Sequence, residues 1–196
     1  WRRASYIGVI AELAHGFEVG RHQDGRPWTV VVDRLAPRQP GFLAAEARFL
    51  KRHSSRKIKV ALPSPALLGE RLWDPDRSKA AYPTRRDFAR ACVPILQHEL
   101  ELLCQAGADV VQIDDPHLCL LVDPQVRAQY PDPDEEAQFT VSLINELVAG
   151  VKGVRLAVHL CRRAGARVRG EACHTGGYEP LIPHLNRLQV NHLTME

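Results

Sequence analysis

The sequence is poor in the features that mark several protein classes. Aromatic residues make up only 6% of its 196 positions, which leaves few platforms on which nucleic-acid bases stack. The excess of positive charge is small, +3, and the basic residues fall in short separate groups (Arg2-Arg3, Lys51-Arg52, Arg85-Arg86 and Arg162 to Arg169) instead of one stripe. No nucleic-acid partner is expected. No apolar run approaches the roughly 18 residues of a membrane span, and no signal peptide opens the chain, so no membrane partner is expected either. The five cysteines, Cys92, Cys104, Cys119, Cys161 and Cys173, are odd in number and irregularly spaced, unlike the framework of a secreted disulfide scaffold. A reducing, cytoplasmic setting is the expectation. A Gly-x-Gly-x-x-Gly dinucleotide fingerprint is missing as well.

What remains is ordinary for one globular domain over residues 1–196: 45% hydrophobic and 25% charged residues, with enough length to bury a core. The chain opens on Trp1 and stops at Glu196, on what reads as a strand end. Both ends suggest a fragment. β-branched and apolar runs predict strands at 28–32, 57–62, 109–114, 154–160 and 190–196. Helical spacing predicts helices at 42–53, after Ser64-Pro65 (a cap followed by a first-turn proline), from a Thr84 cap through 85–105 with a kink or break at Pro94, and at 134–149. A further helix is predicted at 178–188 despite Pro180 and Pro183. Residues 1–20 are not placed, and 116–133, with four prolines, reads as a long loop.

Strand–helix alternation argues for a parallel α/β architecture. Five strands do not close an eight-stranded barrel, so the sheet is either open or part of a (β/α)8 TIM barrel. The chemically active residue types cluster at strand C-termini: Pro63-Ser64, Asp114-Asp115, His159 with Cys161, and Glu196. That is where a barrel builds its site, and an incomplete barrel is the favoured expectation.

The strand ending His159-Leu160-Cys161 is the most informative stretch. Residues two apart share one face of a strand, so an imidazole nitrogen and a thiolate, both preferred zinc ligands, project together. Such a pair alone also fits a buried histidine beside an inert cysteine. Asp114-Asp115 at one strand end, Glu196 at another and the glycine-rich Gly176-Gly177-Tyr178-Glu179-Pro180 add weight to a metal site, although Asp114-Asp115-Pro116 also reads as a turn that merely caps a strand. Cys92 and Cys104 read as core residues, and His117, His174 and His192 as surface or packing residues. The acidic turn 132–136 favours a helix dipole without a catalytic part. The arginine-rich 162–169 loop reads as solvated, with the anionic tail of a substrate as its alternative partner.

Ile113-Asp114-Asp115-Pro116, His159-Leu160-Cys161-Arg162, Gly176 to Pro180 and Leu193-Thr194-Met195-Glu196, in this order, resemble cobalamin-independent methionine synthases, and most of all their shorter single-barrel relatives. Lys59 to Pro65 and Tyr82-Pro83 also look like that subgroup, so the resemblance spans about Lys57 to Glu196. It implies a barrel whose Zn²⁺ is held by His159, Cys161, Glu196 and a second cysteine from a later strand, with Cys173 as a conceivable substitute. It also implies that Asp114 grips the ammonium of homocysteine, with Asp115 beside it in the substrate site. The implied reaction moves a methyl group from a methyl-tetrahydrofolate to the homocysteine thiol. Arg163-Ala164 replace the Gly-Asn that follows the family's His-x-Cys-Arg, and residues before 57 show no match. Alkyl transfer to another small thiol of the coenzyme M kind, or a degenerate barrel without catalysis, are the alternatives.

Overall fold

In the computed structural model of the protein, residues 6–162 and 174–196 are described. A short α1 (Ile10–Leu13) leads into β1 (Ala14–Arg21) and β2 (Pro27–Pro37), which pair antiparallel as a two-stranded ribbon. The register shifts between His15 and Phe17. Gly16 sits there at φ 105°, where a Cβ would press on the Asp33 carbonyl at 2.8 Å; glycine makes this bulge possible. The strand expected at 28–32 therefore exists but is not a member of the parallel sheet. Its alternation of half-buried residues around Val31 looks the same from sequence whichever sheet it joins.

After α2 (Phe42–His53) come three strand-and-helix units and a last strand: β3 (Lys59–Pro63), α3 (Pro65–Leu72) and α4 (Arg85–Gln105), β4 (Val110–Asp114), the short α5 (Pro116–Leu120) and α6 (Pro124–Arg127), α7 (Pro133–Val148), β5 (Arg155–Leu160), α8 (Ile182–Leu185) and β6 (His192–Met195). The sheet runs β3-β4-β5-β6, all parallel, in chain order. A doubly wound sheet reverses its order at a switch point; one that never reverses is the arc of a barrel, with its right-handed crossovers all on one side.

Local chemistry sets the helix boundaries. Ser64 Oγ accepts the Leu67 N–H at 3.0 Å and starts α3. Thr84 and Asp87 close a capping box on α4. Helix α4 runs through Pro94 as one helix, so the proline does not mark a break between two helices. Residues 178–188 form only one short helix, since Pro180 and Pro183 withhold donors that a longer one needs. The proline-rich 116–133 stretch places three of its four prolines, Pro116, Pro124 and Pro133, at first-turn positions of α5, α6 and α7, where the missing N–H costs nothing.

Strand alternation divides the sheet. Val60, Leu62, Val111, Ile113, Leu156, Val158 and Leu160 are buried with Phe88, Leu96, Ile144 and Leu147 of the helices. Lys59, Ala61, Gln112, Asp114, Ala157 and His159 share the opposite face, which is polar and leads toward the strand C-termini. Among the described residues, no helix is long and apolar enough to cross a membrane.

Candidate metal centre

The register places Pro63, Asp114, His159 and Thr194 side by side across the sheet. One further step of two residues along β5 and β6 reaches Cys161 and Glu196, on the same face. His159, Cys161 and Glu196 meet there, each offering a ligand atom within 4.8 Å of the others. Their chemistry fits zinc: one imidazole nitrogen, one sulfur and one carboxylate oxygen, and Zn–N of about 2.0 Å with Zn–S of about 2.3 Å needs only a small further approach of the side chains. Cys173 lies outside the described residues. Its neighbour His174 sits 3.3 Å from Asp123 Oδ2.

Two of the triad members, His159 and Glu196, are braced. His159 Nδ1 lies 3.2 Å from Asp114 Oδ1, which leaves Nε2 as the nitrogen available to a metal. Asp114 Oδ1 also accepts from Gln112 Nε2 at 2.6 Å, and Lys59 Nζ donates to Gln112 Oε1 at 2.9 Å. This chain runs along the polar face and orients the imidazole, as carboxylates do behind metal-binding histidines. Glu196 Oε2 accepts the Arg162 backbone N–H at 2.9 Å, and its carbonyl accepts from the Tyr178 hydroxyl at 3.0 Å. Tyr178 stacks under the Arg162 guanidinium, 4.8 Å from the ring centre, and its hydroxyl lies 3.4 Å from the buried Cys119 sulfur. Gly176, at φ 106°, makes this approach possible, because a Cβ there would collide with the Val122 carbonyl. Burial raises the pKa values of Tyr178 and Cys119 above their ordinary range, so both are neutral hydrogen-bonding groups at neutral pH.

Asp115 is built differently from the expectation. It is 0% exposed, its Oδ2 accepts from Ser64 Oγ at 2.5 Å, and its Oδ1 accepts from Leu118 N at 2.7 Å. Both oxygens are used to cap α5 and tie it to the start of α3, so Asp115 serves the fold around the mouth. Burial pushes its carboxyl pKa up. Asp114, by contrast, is only half-buried at the strand end.

Sequence reasoning missed a second layer. Glu136, 1% exposed, takes a two-pronged pair from Arg85 (2.8 and 2.7 Å), a third bond from Arg86 (2.9 Å), and lies 3.3 Å from His117 Nε2. Burial alone would raise the Glu136 carboxyl, but the bonds from His117, Arg85 and Arg86 outweigh it and hold the group well below the usual carboxylate range. Burial likewise opposes charge on His117, yet Glu136 and Asp115 raise its pKa. This knot fastens α4, α5 and α7 behind the mouth. The Arg85-Arg86 doublet and the acidic turn 132–136 were visible in the sequence, but not their meeting with His117.

A cavity of about 390 Å³ opens beside the triad, with Cys161 in its wall together with Tyr6, Arg71, His117, Tyr130 and His174. That volume is in the range of small-molecule sites. Burial and the nearby Asp114 and Cys161 push the Tyr6 phenol up to about 12. Tyr130 is also raised to about 12, by burial and by Glu70.

No family model matches the chain. It is similar to the methionine synthase of Sulfolobus acidocaldarius, 25% identical over 202 residues that make up 99% of this chain and 50% of that protein. The methionine synthase of Thermococcus kodakarensis is 30% identical over 131 residues, 66% of this chain and 33% of the relative. Among solved structures, the B12-independent methionine synthase of Shewanella sp. W3-18-1, in complex with selenomethionine, superposes with a TM-score of 0.69 at 23% identity, over 96% of this chain and 53% of its own. A B12-independent methionine synthase structure from Listeria monocytogenes gives a TM-score of 0.58 at 20% identity, over 79% and 45%. A methyltransferase from Methanosarcina mazei gives 0.51 at 12% identity, over 92% and 52%. The chain spans about half the length of the first curated relatives it matches, so the arc of four parallel strands is an incomplete TIM barrel. The chain is related in sequence to the methionine synthases, and it carries part of the barrel found in the B12-independent ones.

Proposed function

We propose that this chain carries the thiol-activating site of a zinc-dependent methyltransferase that moves a methyl group from a methyl-tetrahydrofolate to homocysteine and so forms methionine. The observation that supports it most is the meeting of His159, Cys161 and Glu196 on one sheet face, with all three ligand atoms within 4.8 Å of one another. These three residues would hold Zn²⁺, with a further ligand from outside them. Bound there, the metal would supply the acidity that turns a thiol, with an ordinary pKa of about 8.5, into a thiolate at neutral pH.

The chain's own residues do the positioning. Asp114 fixes the His159 ring through Nδ1 and, standing partly exposed at the strand end, offers its remaining oxygen to the ammonium of an amino-acid substrate. Gln112 and Lys59 hold that carboxylate in place from below. Arg162 and Tyr178 set the angle at which Glu196 enters the site. In the overall change the thiol loses its proton, the S–CH₃ bond forms as the donor's N–CH₃ bond breaks, and the displaced nitrogen takes a proton. The cavity beside Cys161 holds the acceptor, and a cytoplasmic location would keep Cys161 reduced.

A coenzyme-M-like acceptor is the second reading, since a metal-bound thiolate would take a methyl group whatever small thiol supplies it. The homocysteine reading is preferred because the sequence relatives are named methionine synthases and the Shewanella structure holds selenomethionine. A triad with two braced members argues against a scaffold without catalysis. Incubating the full-length, zinc-loaded protein with methyl-tetrahydrofolate and either homocysteine or coenzyme M, and identifying the methylated thiol by mass spectrometry, decides among them. Methionine formation is expected. Methylation of coenzyme M alone supports the second reading, and no methylated thiol from either contradicts both.

A further inference from the structure

We infer that Arg71 is the group that takes the carboxylate of the thiol substrate, and that it thereby selects an amino-acid thiol over a neutral-tailed one. The inference deepens the function proposed above and rests on it. Three observations support it. First, Arg71 and Cys161 line the same cavity of about 390 Å³, so a small molecule whose sulfur lies beside Cys161 faces the guanidinium across that space.

Second, Arg71 is the cation in this wall whose charge is not already engaged. Glu70, its neighbour, lies 3.6 Å from Arg85, His117 lies 3.3 Å from Glu136, and His174 lies 3.3 Å from Asp123. Among the described residues Arg71 forms no ion pair. A guanidinium presents a planar fork matched to a carboxylate; one held at a cavity wall without a protein partner is suited to an anionic ligand. Third, Tyr6 lines the same cavity as Arg71 and Cys161, and Asp114 stands at the neighbouring strand end, 3.2 Å from the His159 ring, so an anionic and a cationic group flank the metal-binding residues. An α-amino-acid thiol needs that spread of charges: negative for its ammonium, metal for its sulfur, positive for its carboxylate. Arg71 also lines a second cavity of about 320 Å³ with His22 and Trp28, so its side chain has room to turn toward the ligand.

The test compares two thiols that differ only in the carboxylate: L-homocysteine and 3-aminopropanethiol. Their dissociation constants are measured by calorimetry on the full-length, zinc-loaded protein and on its Arg71→Ala and Arg71→Lys variants, with folding checked by circular dichroism. The native protein is expected to prefer homocysteine by about tenfold or more, the strength of a charge-assisted pair. Arg71→Ala is expected to erase that preference while leaving 3-aminopropanethiol binding unchanged, and Arg71→Lys to restore part of it. An unchanged preference in Arg71→Ala, an equal loss for both thiols, or equal binding of both by the native protein overturns the role of Arg71 and leaves the thiol site standing. Binding of neither thiol to the native protein overturns both.

Discussion

Glu136 shows what a buried charge does when every neighbour is matched to it. Two arginines and a histidine surround one carboxylate that is 1% exposed, and removing one partner from such a group is far more costly than forming it is beneficial. Glu136→Gln is expected to lower stability by about 3–5 kcal/mol, read by denaturant titration. The pH dependence follows from the two shifts. The lowered Glu136 pKa contributes stability that is fully present above the unfolded carboxyl value of about 4.3 and is lost as pH falls toward the folded one. The raised His117 pKa contributes stability present below the unfolded imidazole value of about 6.5 and lost as pH rises through the folded one. The gap between the native protein and Glu136→Gln is therefore expected to shrink on acidification below about pH 4; a gap independent of pH contradicts the assignment. Tyr178 poses a different question, since its hydroxyl touches Glu196 and Cys119 but offers no ligand atom to the triad. Tyr178→Phe is expected to weaken zinc affinity by about 10-fold or more, the usual effect of losing a group that orients a ligand, with little change in melting temperature. Competition against a chromophoric chelator measures it.

Helix α2 depends on a residue fifty positions away. Its own cap, Gly41, has no side chain to offer, and the first turn is instead closed by Glu99 of α4. One Glu99 oxygen accepts from Gly41 N at 2.5 Å, and the other from Leu43 N at 2.7 Å and Ala44 N at 3.0 Å. A negative charge at a helix N-terminus, buried and triply bonded, is among the stronger stabilising arrangements. Glu99→Ala is expected to cost about 3 kcal/mol and Glu99→Gln about half of that, measured by thermal unfolding. Such a cap is invisible in sequence because it joins two elements. The caps that lie within a few residues of their helix, Ser64 and Thr84, are legible because the bond closes locally. The same distinction explains the strands. Val111, Ile113, Val158 and Leu160 announce themselves by β-branching and apolar runs, whereas the pairing of 14–21 with 27–37 as a separate antiparallel ribbon depends on a partner choice that periodicity does not encode. Of the candidate site, the parity of residues 159, 161 and 196 is readable once the ends of two strands, β5 and β6, are known. Asp115 was not, because turning a carboxylate inward onto Ser64 and Leu118 is decided by the packing of α3 against α5. Arg71 and Tyr6 carry no local pattern at all, and Glu136 shows only as part of the acidic start of α7.

Across the whole molecule, one principle organises the arrangement. Four parallel strands in chain order direct every second residue to one face, and the polar members of that face accumulate toward the C-terminal ends. Helices on the other side supply the apolar core and the hidden carboxylates that hold the mouth rigid. Chemistry and stability are thus carried by opposite faces of one sheet, which is why a site assembled from the ends of separate strands keeps its geometry. The central claim is that His159, Cys161 and Glu196 form a metal site. It is tested most directly by elemental analysis of zinc in the full-length protein and in its Cys161→Ser variant. About one zinc per chain in the native protein, lost in the variant while the fold is retained, is the expected result. No zinc in the native protein, or the same zinc content in both, would contradict the account.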